Sequence, residues 1–140
     1  MKYLLDTNAC VQLLRFPVTS PVFQRLAREQ SGHVVTCSVV KAELIYGAER
    51  SQNPDKHYNQ LEVLFETLGS LPFDDRSAIE YGVIRRHLET QGKTIGPNDL
   101  LIAAISLAND LTLVTHNVAE FNRVPGLRVE DWQAIEDSQS

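Results

Sequence analysis

Four short stretches carry the residue types from which metal or acid–base chemistry is built. Leu4-Leu5-Asp6-Thr7-Asn8 is an apolar run that ends on a carboxylate. Between Ser38 and Gly47, Glu43 falls at helical spacing from Val39, Val40, Tyr46 and Gly47. A carboxylate on such an apolar stripe is costly to bury unless it is paired or ligates a metal. In Gly96-Pro97-Asn98-Asp99, Asp99 stands three and four residues before Ile102 and Ala103, so it faces inward. The fourth stretch, Thr115-His116-Asn117-Val118-Ala119-Glu120-Phe121, offers Asn117 and Glu120 as ligands or as hydrogen-bonding partners of ligated water, and His116 as a base. Each residue also has an ordinary structural use. Asp6 would serve as a helix cap, Glu43 in a salt bridge, Asp99 against a helix dipole and His116 as a surface side chain. Taken together, oxygen donors of this kind suit a hard cation such as Mg²⁺ or Mn²⁺. A cation so held activates water and neutralises charge on a phosphodiester.

The elements that must position these residues alternate between strand and helix. Tyr3-Leu4-Leu5 reads as a buried strand, and Asn8 as the cap of a helix that ends at Arg15, before Pro17. Ser20 and Pro21 open a second helix, expected to reach Gln30. His33 to Cys37 is rich in β-branched residues and reads as a strand. Helices follow from Ser38 to about Arg50 and from Pro54 to Leu68. Leu71-Pro72-Phe73 is a short strand, and Asp74 or Asp75 caps a helix over residues 76–91. Pro97 opens an apolar helix ending near Asn109, and residues 111–115 form the next strand. A helical turn at 118–121 and a last strand at 127–129 complete the chain. This alternation predicts an α/β fold with a mainly parallel sheet. No repeat, linker or low-complexity segment interrupts it, so residues 1–140 read as one domain with 137–140 frayed.

Bulk properties narrow the function classes. Apolar residues make up 43% of the 140, enough for one core without a metal or disulfide staple. Cys10 and Cys37 sit among apolar neighbours and read as reduced core thiols, which fits a reducing compartment. The apolar run at the N-terminus stops at Asp6, too soon for a secretory signal. The longest apolar stretch, Leu100 to Ala108, is about half the length that spans a bilayer. A cytoplasmic location and no membrane partner are expected. The net charge of −5 argues against a general nucleic-acid coat protein. Residues 1–50 nevertheless carry six Lys/Arg against four Asp/Glu. The sequence contains no Gly-rich phosphate loop, no paired-cysteine zinc spacing and no Gly-x-Ser-x-Gly elbow.

The four blocks, in this order and spacing, resemble the PIN-domain family and, more narrowly, the VapC toxins of bacterial toxin–antitoxin pairs. Val124-Pro125-Gly126-Leu127 and Glu130-Asp131-Trp132 are similar to the same subgroup. The resemblance implies a three-layer sandwich, a parallel sheet between helices, with the acids gathered at one end. It implies an endoribonuclease dependent on Mg²⁺ or Mn²⁺, with Asp6 and Asp99 as metal ligands. Glu43 would hold metal or orient its water, with Thr7 and Thr115 in support. Asn117 stands where many relatives have a fourth acid, and Glu120 would substitute for it. The resemblance further implies a homodimer, a larger assembly with an antitoxin protein that blocks the groove, and RNA as substrate, with a leaning to tRNA. Hydrolysis by metal-activated water would leave 5′-phosphate and 3′-hydroxyl ends. Arg15, Lys41, Arg85, Arg86 and Lys93 are the candidate phosphate contacts. Two rival readings are a non-catalytic RNA- or protein-binding module and an Mg²⁺-dependent phosphatase. Asn8 stands where the haloacid-dehalogenase type of phosphatase needs a second Asp.

Overall fold

Tyr3–Leu5 forms the first strand, β1, with Leu4 and Leu5 wholly removed from solvent. In the computed structural model, which describes residues 1–133, β1 is the middle strand of a five-stranded sheet. The others are β2 (Val34–Cys37), β3 (Gly69–Leu71), β4 (Thr112–Val114) and β5 (Val129–Glu130). The order is β3-β2-β1-β4-β5 and every pairing is parallel. Parallel strands need both faces covered, and the sequence supplies this with apolar residues: Leu4, Leu5, Leu113 and Val114 are all at or below 1% exposure.

The helices are α1 (Thr7–Arg15), α2 (Pro21–Leu26), α3 (Ser38–Glu49), α4 (Pro54–Thr67), α5 (Asp75–Thr90), α6 (Pro97–Ala108) and α7 (Val118–Phe121). The chain moves outward from β1 through β2 to β3, then crosses back to β4. Right-handed crossovers therefore put α1 to α4 on one face and α5 and α6 on the other. Packing agrees, with α1 against α2, α3 and α4, and α5 against α6. The result is the expected α/β sandwich of three layers. α6 is apolar nearly all round, with Ile102 to Ser106 fully buried. The one polar residue in that buried run, Ser106, donates its hydroxyl to the Ile102 carbonyl at 3.0 Å.

Several boundaries differ from the sequence reading, each for a local reason. Asp6, not Asn8, caps α1: its carboxylate accepts from the Ala9 amide at 2.9 Å. α2 ends at Leu26 rather than Gln30, because the chain tightens into i→i+3 bonds, Arg28 to Arg25 and Glu29 to Leu26. The third strand lies at Gly69–Leu71 instead of 71–73. Pro72 has no N–H to give a ladder, so pairing ends before it. The last strand falls at Val129–Glu130 rather than 127–129. The expected fraying of 137–140 lies outside the described residues.

α5 and α6 end alike. Lys93 N–H bonds the Leu88 carbonyl past a left-handed Gly92 (φ 66°), and Leu111 N–H bonds Ser106 past a left-handed Asp110 (φ 54°). Arg128 clasps the Asp110 carboxylate at 3.1 Å, tying that turn to the segment before β5. Cys10 and Cys37 are buried free thiols, and burial pushes Cys10 up to about 12. No helix among the described residues is long and apolar enough to cross a membrane.

Candidate metal centre

The chain reverses its direction of travel across the sheet between β1 and β4, and open α/β sheets form their ligand crevice outside the carboxyl ends of strands at such a point. Asp6 directly follows β1 there and is 5% exposed. Its backbone N–H bonds the Val114 carbonyl of β4 at 3.1 Å, which fixes it against the neighbouring strand. Burial raises its carboxyl above the ordinary range. Hydrogen bonds from Thr115 and Ala9 oppose that rise, and the charges of Glu43 and Asp131 add to it.

The remaining acids arrive from three other elements. Glu43 projects from α3, whose start is set by the end of β2. One of its oxygens accepts from the Thr7 hydroxyl at 2.5 Å and the other from the Asn98 amide at 3.4 Å. Asp99 lies in the first turn of α6. Glu120, on α7, accepts from the Gly96 amide at 3.2 Å and the Asn117 side chain at 2.8 Å. Gly96 borders both acids: a Cβ there would be in ordinary contact with Asp99 Oδ2 at 3.4 Å and Glu120 Oε1 at 4.0 Å. Asp99 is pushed up to about 7, first by burial, then by its hydrogen bond with Glu120 and by the charges of Glu120, Glu43 and Asp6.

The charges of Glu120, Glu43 and Asp6 thus all bear on Asp99 in a half-buried space. A proton on Asp99 is one relief, and a divalent cation is another. The donor set is all oxygen, which fits a hard cation. Among the described residues no three His, Cys, Asp or Glu side chains already enclose a metal position. Glu43 and Glu120 are turned to hydrogen-bond partners, and ligation would exchange some of those bonds.

The structure brings Asp6, Glu43, Asp99, Asn117 and Glu120 to one end of the sheet, with Thr7 bonded to Glu43 and buried Thr115 bonded to both Asp6 and the Asn117 amide. Of the five basic residues singled out by sequence, only Arg15 lines the cleft that opens beside Thr7 and Glu43. The Lys41 ammonium lies 4.6 Å from the centre of the Phe65 ring. Arg85 is bonded to Glu89 and Tyr81 on α5. Arg86 and Lys93 are exposed.

Sequence alone assigns neither Asn98 nor Asp131 a role at the site, although an Asn or Asp at both 98 and 99 is more than a helix cap requires. Asp131 acts on Asp6 from the far end of the chain. It bonds His116 Nδ1 at 2.9 Å, which gives that histidine a structural partner. Trp132 anchors the segment: its ring meets Tyr3 edge-on at 5.2 Å, and Arg25 lies 4.8 Å from its centre.

Residues 3–127 match the PIN domain family. The chain is 39% identical over 132 residues to a tRNA(fMet)-specific endonuclease VapC of Shigella flexneri, covering 94% of this chain and 98% of that protein. It is 36% identical to ribonuclease VapC2 of Rickettsia felis over the same shares. Among solved structures, it superposes on the DNA-bound VapBC of Salmonella typhimurium with a TM-score of 0.89 and 35% identity, covering 94% of this chain and 98% of that one. VapBC2 of Rickettsia felis bound to a promoter DNA fragment gives 0.86, at 35% identity and with 94% and 99% covered. By fold, by length and by sequence, the chain belongs to the PIN-domain family and, within it, to the VapC ribonuclease toxins.

Proposed function

We propose that this chain is a divalent-metal-dependent endoribonuclease, the toxin of a toxin–antitoxin pair, with tRNA as its substrate class. The observation that carries the metal dependence is the convergence of four carboxylates from four elements, which holds Asp99 protonated up to about 7. Such crowding is unfavourable for the free protein and favourable for a cation. Asp6 and Asp99 would ligate it, with Glu43 as a further ligand or as the acceptor that orients its water. Magnesium, or manganese in its place, supplies activated water and charge neutralisation when bound. The protein's own contribution is orientation. Thr7 holds Glu43, Thr115 holds Asp6, and Asn117 aims Glu120 by donating to it. Glu120 thereby fills the corner where Asn117 replaces an acid.

The VapBC complexes among its structural relatives support an antitoxin partner, and we extend this to one that covers this end of the sheet and to a homodimeric toxin acting in the cytoplasm. The tRNA(fMet)-specific relative supports tRNA over other RNAs. Residues 1–140 are taken as the single ribonuclease domain.

The test is to incubate partner-free protein with total bacterial RNA, with and without Mg²⁺, and to map the cut ends. The proposal expects tRNA fragments bearing 5′-phosphate and 3′-hydroxyl ends, formed only with Mg²⁺ or Mn²⁺. Cutting that persists in EDTA, or binding without cutting in either metal, would overturn it.

A further inference from the structure

A cleft of about 480 Å³ opens beside the acids, between α1, α3 and α4. Thr7 and Glu43 form part of its wall, so it is continuous with the candidate metal centre. Its charged lining is otherwise positive or titratable: Arg15, Arg50, Lys56 and His57, with Glu43 as the one acid. That is an inversion of the whole chain, in which 18 acids outnumber 13 Lys/Arg.

The cations of this cleft differ from several others on the molecule. Arg25, Arg85 and Arg128 are engaged by Glu29, Glu89 and Asp110. Among the described residues, Arg15, Arg50 and Lys56 make no salt bridge. Cations without a protein counter-ion, set beside a cluster of acids, suit an external polyanion. Arg50 also packs over the Tyr46 ring at 5.4 Å. Tyr46 lies one helical turn from Glu43 and is 65% exposed, although it is a large aromatic side chain. An exposed ring backed by a guanidinium is a stacking surface for a nucleobase. From Glu43 to Arg50, α3 rises about 10 Å, a span of about three nucleotides at stacked spacing.

We propose that this cleft is the track of the RNA strand on one side of the cut. Arg15, Arg50 and Lys56 would take successive phosphates, His57 would border them, and Tyr46 would stack one unpaired base. The proposal rests on the ribonuclease reading for its biological use, but its binding chemistry is tested separately. An acidic segment of a protein partner is the competing occupant. The exposed aromatic beside unpaired cations favours a single-stranded nucleic acid over it.

The experiment measures anisotropy of a short fluorescein-labelled single-stranded RNA in EDTA, across about 50 to 200 mM salt. The proteins are the parent, Arg50→Gln/Lys56→Gln, Tyr46→Ala and Arg28→Gln. Arg28 is exposed near the start of β2, at the opposite end of the sheet. The double variant is expected to weaken binding at least about tenfold and to lower the salt slope by about 0.7 per lost contact. Tyr46→Ala should weaken binding about tenfold with the slope unchanged. Arg28→Gln should match the parent. Cleavage of the same RNA in Mg²⁺ is followed in parallel. If the parent cuts while the cleft variants bind and cut as it does, the track is refuted and the ribonuclease reading stands. If the cleft variants keep the parent's RNA affinity and salt slope, whether or not the parent cuts, the proposal fails. If the parent never cuts but the variants lose RNA as expected, the track stands and the ribonuclease reading falls.

Discussion

Replacing Asp99 by Asn is expected to stabilise the metal-free protein above neutral pH. The folded state holds the Asp99 proton up to about 7, whereas an unconstrained Asp releases it near 3.8. Between those values the folded protein binds more proton than the unfolded chain, so stability falls as pH rises from 3.8 to about 7 and the full penalty persists above. The full difference corresponds to about 4 kcal/mol as an upper bound. Asp99 is only half-buried, and solvent screening reduces the realised penalty to about 1–2 kcal/mol. The Asn variant escapes that penalty but loses the attraction of a carboxylate for the α6 N-terminus, about 0.5 kcal/mol. The penalty is the larger effect, so a net gain of about 1 kcal/mol remains, raising Tm by about 3–5 °C. Circular dichroism melts in EDTA at about pH 8 and about pH 4 would read this. The gain should appear at the higher pH and vanish at the lower. Saturating Mg²⁺ should then reverse the order, because the parent gains about 2.7 kcal/mol at a hundredfold excess over Kd and the variant gains less. An Asn variant that melts below the parent at about pH 8 in EDTA would refute the electrostatic reasoning.

Other perturbations separate the parts of the site. Glu120→Gln removes a neighbouring charge, so the Asp99 carboxyl should titrate below 7 in a carbon-detected NMR titration. It should stay above 3.8, because burial is the first cause of its rise. Thr7→Val deletes the hydrogen bond that holds Glu43 and should lower metal affinity or cleavage about 10- to 100-fold. Thr7→Ser should recover most of the loss, as read by calorimetric Mn²⁺ titration and initial rates. Leu113→Ala, in a fully buried β4 position, should cost about 3 kcal/mol in denaturant unfolding without changing the salt slope of RNA binding.

How much of this was legible in the sequence depends on the range of the interaction involved. β1, β2 and α6 are readable because their apolar runs, and Pro97 in the first turn of α6, are local signals. Asp6 is readable as an acid at a strand end, Glu43 and Asp99 as acids on inward helix faces, and their order matches a known family. Leu71-Pro72-Phe73 reads locally as a strand, yet pairing ends before Pro72, since nothing local shows where Val35 finds its partner. Asp6 and Asn8 are equally good cap types, so the local sequence does not decide which of them caps α1. Arg50, Lys56 and His57 carry no local mark at all. They become a group only when α3 and α4 fold against α1. Asp131 is similar: its action on Asp6 depends on the Trp132 anchor bringing the last strand's exit back to the first.

If Asp6, Glu43 and Asp99 hold a divalent cation that supplies activated water, RNA cleavage at the carboxyl ends of β1 and β4 should depend on that cation and on those side chains. The most direct test of this dependence is the single-turnover cleavage rate of a tRNA by partner-free protein as Mg²⁺ is titrated, for the parent, Asp6→Asn and Asp99→Asn. The account predicts a saturable rise from no detectable cutting in EDTA for the parent, with both variants slowed by at least about a hundredfold. Equal rates in all three proteins, or cutting indifferent to the metal, would contradict it.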